Sequence, residues 1–326
     1  MIYLFITLFT SLFITYLLVK HKEKLNLFAY TNHRTIHKNI TPNSGGIAIF
    51  ISFLVGLFFS GYSINIEILL SLIFIFFVGL YDDYFGSSSK QKAIFLFAVV
   101  NILYFSGFRI EYLGTYLGHT VMLGDIGAYL FLMFAVIGFI NAVNLIDGID
   151  GLSSTVGIII LATYLYLGFK WEDDFLIYLP SIYIVSLLGF LYFNISPAKI
   201  FMGDNGSLTL GLMIAVIAIH AVNEHYITPV TTLMLAALPM LDTFIVMTRR
   251  ILAKKSPFEA DRLHIHHIVL KQQKNNVKRT VFILALFQAI CSYIGLGFKI
   301  RDDILILGLF MMILLLFYMF LNPHKD

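Results

Sequence analysis

A single cysteine, Cys291, occurs in the 326 residues, and it sits inside an apolar run. That excludes an internal disulfide and any metal centre built on thiolate pairs. Charge is scarce as well: Asp, Glu, Lys and Arg make up 13% of the chain, against about 25% in soluble domains. The N-terminus lacks both a basic leader region and a small-residue cleavage signal, so Met1 to Val19 reads as a retained first span. No internal repeat is visible. What the chain has in quantity is apolar sequence, 59% AVILMFWYC with a mean hydropathy of +0.87, gathered into long runs. The fold class expected from this is an all-α polytopic integral membrane protein.

The runs resolve into eleven expected transmembrane helices, at about 1–19, 45–62, 66–81, 92–108, 126–141, 152–169, 175–193, 207–222, 228–248, 280–297 and 303–321. With the N-terminus outside and the C-terminus cytoplasmic, 18 of the 22 Lys and Arg fall on the cytoplasmic side. Only Arg109, Lys170, Lys299 and Arg301 do not, so the positive-inside rule selects that orientation. The chain reads as one membrane-embedded domain, 1–326, with cytoplasmic loops near 20–44, 82–91, 142–151, 194–206 and 249–279. Every polar motif falls in those loops, and the outer loops are short. The exception is Arg109 to Asp125, where Gly114, Gly118 and Gly124 punctuate β-favouring residues; a small hairpin without chemistry is expected there. A one-sided distribution suits an enzyme that takes a soluble cytoplasmic substrate. A transporter places polar residues across the bilayer midplane, often on broken helices in repeated halves.

The most informative stretch is Asn141 to Leu152, NAVNLIDGIDGL. Two amides, Asn141 and Asn144, and two carboxylates, Asp147 and Asp150, recur at steps of three, which gathers side chains onto one side of a helical turn. Gly148 and Gly151 beside the carboxylates let backbone or ligand approach closely. Such oxygen donors at a membrane edge suit a hard cation, a nucleotide or both; a merely polar loop would not need the spacing. Asp82 and Asp83 end the third apolar run, and adjacent aspartates want a cation or a proton unless they form a simple solvated helix end. In Asn194 to Ser207, NISPAKIFMGDNGS, a loop runs into a helix N-terminus. Backbone N–H groups there can bind phosphate while Asp204 holds a metal, although an aspartate in that place also serves as an ordinary cap.

The loop from Arg249 to Arg279 contains SPFEADRLHIHH, with His264, His266 and His267 close together. Zinc is disfavoured because no cysteine or regular ligand pair accompanies the histidines at zinc-site spacing. With Arg249, Arg250 and Arg262 nearby, the cluster suits a diphosphate, and Lys271 to Arg279 reads as a basic segment on an anionic leaflet. Asp242, in the ninth span, is expected to face the bundle interior, paired or functional. In the first loop His33, Arg34, His37 and Lys38 precede Pro42 and Gly45–Gly46 as a flexible basic segment.

Together these motifs resemble the polyprenyl-phosphate N-acetylhexosamine-1-phosphate transferase superfamily over residues 32 to 267. The shared features are N-x-R…H…P-x-x-GG (Asn32 to Gly46), the aspartate pair, N-x-x-N-x-x-DG-x-DGL, N-x-x-PA…F-x-GD-x-GS, P-x-x-D-T (Pro239 to Thr243) and the histidine motif. The loop looks like the branch that uses UDP-N-acetylglucosamine. The branch that transfers phospho-MurNAc-pentapeptide has three consecutive histidines, which Ile265 interrupts here. Ala29, Thr31 and Thr35 depart from the family's common Asp, Pro and Lys, and Gly86 replaces an acidic residue that sometimes follows the pair.

The resemblance implies transfer of a sugar-1-phosphate from a UDP-N-acetylhexosamine to undecaprenyl phosphate, giving undecaprenyl-diphospho-sugar and UMP. That would be a first membrane step of a cell-envelope glycan such as O-antigen, at the bacterial cytoplasmic membrane. It implies Mg²⁺, with Mn²⁺ as a substitute, held by Asp204 and Asn144. Asp82 and Asp83 would orient the attacking phosphate or finish deprotonating it. Asp147, Asp150 and Asn194 would line the nucleotide site, and Arg249, Arg250, His264, His266 and His267 would hold diphosphate and sugar. No nucleic acid is implied, and a homodimer is left open. The competing expectations are the MurNAc-pentapeptide transferase, an ion-coupled transporter using Asp242, and a silent membrane scaffold.

Overall fold

A computed structural model describes residues 1–25, 41–254, 264–298 and 303–320. His33, Arg34, His37, Lys38 and Arg262 lie outside the described residues. The elements, in chain order, are α1 (Ile2–Lys20), α2 (Lys22–Leu25), α3 (Gly45–Ser60), α4 (Ile66–Phe85), α5 (Ser89–Phe105), β1 (Tyr112–Tyr116), β2 (His119–Met122), α6 (Asp125–Leu145), α7 (Leu152–Trp171), α8 (Asp174–Asn194), α9 (Asp204–Asn223), α10 (Pro229–Leu235), α11 (Ala237–Leu252), α12 (Ile265–Gln272), α13 (Val277–Gly297) and α14 (Asp303–Phe320).

Eight of these helices are long and apolar enough to cross a membrane, namely α1, α4, α6, α7, α8, α9, α13 and α14. The chain is therefore a multi-pass helical membrane protein. The count of eleven does not follow from the helices alone: α3 has only 16 residues, and α5 has 17 with Lys90 and Lys92 in its first turns. The ninth expected span is two helices, α10 and α11, meeting at 95°.

That break has a local cause. Pro239 has no N–H to donate to the carbonyl four residues back, which frees the Leu235 oxygen. The Gln288 amide of α13 fills the gap, donating to Leu235 O at 2.8 Å and accepting from Leu238 N at 2.9 Å. The Ser292 hydroxyl adds a second bond to Leu235 O at 3.2 Å. An apolar side chain in place of Gln288 would strand Leu238 N in a dry interior and leave Leu235 O with the Ser292 bond alone, a costly loss.

Helix α9 is the axis of the bundle, buried along nearly its whole length, whereas α1 and α14 are peripheral. Between helices in lipid, close van der Waals fit replaces the aqueous hydrophobic drive. Gly46 of α3 and Gly79 of α4 show how close that fit is. A Cβ at either position would collide with Asn205 at the start of α9. Phe5, Phe9 and Phe13 of α1, Leu130 and Phe134 of α6 and the exposed side of α14 remain as the lipid-facing surface.

Starting beside one another near Asp82 and Asp204, α5 and α9 both run to the far end of the bundle. At about 1.5 Å per residue, α9 alone spans ~30 Å. At its far end Asn223 and His225 share a cleft with Arg109, Tyr112 and Met122. The hairpin anticipated between Arg109 and Asp125 is there, with β1 and β2 antiparallel and Tyr116 opposite His119. Leu117 and Gly118 make its two-residue turn, both at positive φ, as the primed hairpin turns require. Asp303, fully buried at the start of α14, ties this end together: Thr115 N donates to it at 2.6 Å and Thr228 Oγ1 at 2.5 Å.

Candidate active site

The motif residues come together at the other end, and several sit deeper in helices than loop boundaries suggested. Asp82 and Asp83 occupy the last turn of α4. Asn141 and Asn144 belong to the last turns of α6, and Asp147 and Asp150 lie in the turn that follows. Because the helix stops at Leu145, the three-residue spacing does not place all four on one face. Asn141 turns back onto its own helix, donating to Ile137 O at 2.8 Å.

Asp83 is wholly engaged with the start of α9. Its carboxylate accepts from Asp204 N at 2.9 Å, Asn205 N at 2.9 Å, Asn205 Nδ2 at 2.6 Å and Asn43 Nδ2 at 2.8 Å. These contacts satisfy the first free N–H groups of a helix and place a negative charge at its positive end. The adjoining chain crosses as a short ladder: Gly45 N and Gly46 N donate to Phe201 O and Met202 O, and Phe201 N returns to Pro42 O. The P-x-x-GG and F-x-GD motifs are thus one unit, closed by Asp83.

Asp82 faces the other way. One oxygen accepts from Ser87 N at 2.6 Å and from the Ser87 hydroxyl. The other lies 2.5 Å from Lys92 Nζ, and the same ammonium is 2.7 Å from Asp204 Oδ2. Asp204 Oδ1 accepts from Asn144 Nδ2 at 2.7 Å, and Asn144 also donates to Ser207 Oγ at 2.8 Å. Asn144 therefore presents its nitrogen to Asp204 and holds that carboxylate in place. Both bonds use the amide nitrogen, so the Asn144 oxygen remains available as the ligand atom expected of it.

The DG-x-DG turn meets both the α9 entry and the histidine helix. Burial, then the Asp204, Asp83 and Asp150 carboxylates, pushes Asp147 up to about 7. Asp150 accepts from Ala198 N at 3.0 Å. Gly148 lies directly against the His266 ring, so a Cβ there would overlap the imidazole. His266 is 3% exposed, and burial, helped by His267 and His264 and opposed by Asp242, pushes it down to about 3. Both of its ring nitrogens are buried without a hydrogen-bond partner among the described residues, an arrangement that calls for a ligand or water.

Asp242 is buried and paired, as its position in an apolar run demanded. It accepts from His264 Nδ1 at 2.7 Å and Ile265 N at 2.5 Å, anchoring the start of α12 to α11. His264 and His266 stack with ring centroids 5.6 Å apart, and His266 lies 4.2 Å from His267. Two turns along α11 from Asp242, Arg249 is also buried, with the half-buried Arg250 beside it.

Asn194 has a structural part. It is 4% exposed, accepts from Gly151 N at 3.0 Å and donates to Ile200 O at 2.8 Å. It clasps the two motif loops together, Gly151 on one and Ile200 on the other. Sequence reasoning missed Lys92, Asn43, Asn205 and Ser87. Lys92 was visible only as one more positive-inside charge, because the carboxylates it joins are 10 and 112 residues away in sequence.

Among the described residues no group of three or more His, Cys, Asp and Glu is arranged to hold a metal ion. Two carboxylates converging on one cationic centre fit Mg²⁺, since that ion keeps several waters and needs only one or two protein carboxylates plus substrate phosphates.

A cluster of carboxylates and amides with one bridging lysine, closed by a histidine helix at one end of a membrane bundle, defines a membrane-embedded site for an anionic substrate. The sequence profile of glycosyl transferase family 4 matches residues 65–222. The chain is 32% identical over 306 residues to the undecaprenyl-phosphate alpha-N-acetylglucosaminyl 1-phosphate transferase of Salmonella typhi, covering 89% of this chain and 81% of that one. It is 29% identical over 334 residues to the protein of the same name from Haemophilus influenzae, covering 98% and 93%. The decaprenyl-phosphate N-acetylglucosaminephosphotransferase of Mycobacterium leprae is 29% identical over 305 residues, covering 83% and 76%. The chain belongs to this family, the glycosyl transferase family 4 enzymes of the undecaprenyl-phosphate N-acetylglucosaminyl 1-phosphate transferase branch.

Proposed function

We propose that the protein transfers N-acetylglucosamine-1-phosphate from UDP-N-acetylglucosamine to undecaprenyl phosphate, releasing UMP. The observation that carries this is the meeting of Asp82, Lys92 and Asp204 with the DG-x-DG turn and the histidine helix. In the reaction a lipid phosphate oxygen forms a bond to the sugar-bearing phosphorus, and the bond from that phosphorus to the UMP oxygen breaks. One phosphoanhydride replaces another, so the main task is to bring anions together and neutralise charge. The lipid phosphate has a second pKa near ~6 and is largely dianionic at neutral pH.

Asp204, steadied by Asn144, is the carboxylate we assign to Mg²⁺, with Asp82 beside it. Bound Mg²⁺ supplies charge neutralisation at the diphosphate. Asp82 orients the incoming phosphate or takes its residual proton. Asp83 acts through α9, holding Asp204 in register. Asp147 and Asp150 flank the nucleotide, while His264, His266, His267, Arg249 and Arg250 receive the diphosphate and sugar. We further propose eleven membrane crossings, the N-terminus outside, and this site on the cytoplasmic face of the bacterial inner membrane, which agrees with the distribution of Lys and Arg.

The test is sugar-phosphate exchange in detergent with polyprenyl phosphate and Mg²⁺. UDP-N-acetylglucosamine, its epimer and UDP-MurNAc-pentapeptide are offered separately. Labelled lipid with matched UMP from the first donor, abolished by EDTA, is the expected result. Release of UMP only from the pentapeptide donor would move the protein to the neighbouring branch, and none from any donor would overturn the reading.

A further inference from the structure

Lys92 occupies an unusual place. Its ammonium bridges Asp82 Oδ2 at 2.5 Å and Asp204 Oδ2 at 2.7 Å, and its side chain is only 20% exposed. The other oxygen of each carboxylate is already taken, by Ser87 on Asp82 and by Asn144 on Asp204. The lone pairs that face the space between the two aspartates are therefore the ones Lys92 holds. The root of the side chain is fixed, because Ser88 and Gln91 form a capping box at the start of α5. The four-carbon stem is not fixed, and it can swing the charge without moving the helix.

From this geometry we infer that Lys92 is a placeholder cation, displaced when a divalent ion binds Asp82 and Asp204 and then free to pair with an arriving phosphate. The inference rests on the assignment of Mg²⁺ to Asp204 and extends it to Asp82, whose Oδ2 faces the same ammonium until phosphate arrives. A monovalent ammonium keeps the two carboxylates from repelling each other in the empty site. A divalent ion does the same with twice the charge and with vacant positions for phosphate oxygens. The ammonium it expels remains tethered beside those phosphates. Metal loading and the creation of a second cationic contact for substrate thus become one event. An ordinary structural ion pair makes the opposite prediction, since removing it loosens the site and weakens metal binding.

Mn²⁺ binding to the full-length protein in detergent, followed by loss of the free-ion EPR signal, separates the two. Lys92→Met keeps the length of the side chain and removes the charge. The expected result is Mn²⁺ half-saturation at a concentration about tenfold lower than in the unmodified protein, a coupling within the usual range for groups sharing a site. Turnover should fall at the same time. Lys92→Arg should bind Mn²⁺ no more tightly than the unmodified protein, and Asp204→Asn should not bind it at this site. Equal or weaker binding by Lys92→Met overturns the placeholder role and leaves the metal assignment standing. Absence of binding by the unmodified protein overturns both. A second readout needs no variant: acetylation of Lys92, measured by mass spectrometry, should rise several-fold when Mg²⁺ is added without substrate. Unchanged or reduced labelling overturns the proposal.

Discussion

At the hairpin end of the bundle Asp303 is fully buried, and its oxygens accept from a backbone N–H and a threonine hydroxyl. Asp173, on the loop between α7 and α8, is similarly provided for by Leu176 N, His220 and Tyr226. At the site end, Asp82 and Asp204 share one ammonium, Asp83 takes four neutral donors, and Asp147 is pushed up to about 7 by burial and then by the carboxylates around it. The hairpin end is self-sufficient. At the site end one ammonium serves two carboxylates, an arrangement suited to receiving cations and the anions that travel with them. A carboxylate satisfied by fixed dipoles contributes to stability, whereas one that shares a single mobile cation is available for chemistry.

The sharpest way to break this comparison is to neutralise one carboxylate at each end. Asp204→Ala should lower UMP release by about 10³-fold while the protein still unfolds at nearly the same temperature. Asp303→Asn should do the reverse, destabilising by about 2 kcal/mol, the usual weight of bonds to a charged acceptor, with turnover below the melting temperature unchanged. Large activity loss from Asp303→Asn would dissolve the distinction. Asp83→Ala should combine both effects, because the start of α9 loses its anionic cap and Asp204 loses its register. A drop of about 1–2 kcal/mol in stability is expected, together with a turnover loss that Asp83→Asn partly restores. Full activity in Asp83→Ala would show that the α9 entry holds itself.

Gln288→Leu tests the broken helix between the two ends. With Leu238 N left unpaired and Leu235 O reduced to its Ser292 bond, a loss of about 2 kcal/mol is expected, along with a rise in KM as α11 and its Asp242–His264 pair lose their aim. The remaining expected effects concern pH. Asp147 has a folded pKa near 7, above its unfolded value, so the native state binds the extra proton and stability falls as pH rises from about 4 to 7. His266 is depressed to about 3, so the unfolded state binds the extra proton and stability falls as pH drops below about 6.5. Melting temperature against pH should flatten on opposite sides in the two variants. Asp147→Asn loses the decline with rising pH, and His266→Gln loses the decline toward acid. Parallel profiles in both variants would mean that neither group is as enclosed as its surroundings indicate.

Much of the site was legible because its chemistry is written in short spacings. The aspartate pair, NAVNLIDGIDGL and HIHH each carry their polar atoms within a few residues, and the fold brings all three together. What escaped was long-range pairing. Lys92 looked like one basic residue among many, and nothing local says that it joins Asp82 to Asp204. Asn194 opens the N-x-x-PA motif, and nothing local says that its amide joins backbone at Gly151 and Ile200. The ninth span read as continuous because hydropathy averages over a break. The local cue was Pro239, and its complement, Gln288, lies 49 residues later on another helix.

That last pairing has a consequence for how the protein is made. A chain emerging from the ribosome delivers every site carboxylate and the three histidines before it delivers Gln288. Until α13 joins the bundle, the bend between α10 and α11 lacks the amide that bridges it, and the histidine helix has no settled direction. A late assembly step is thus the insertion of a helix that contributes none of the proposed catalytic residues, followed only by α14, whose Asp303 closes the opposite end.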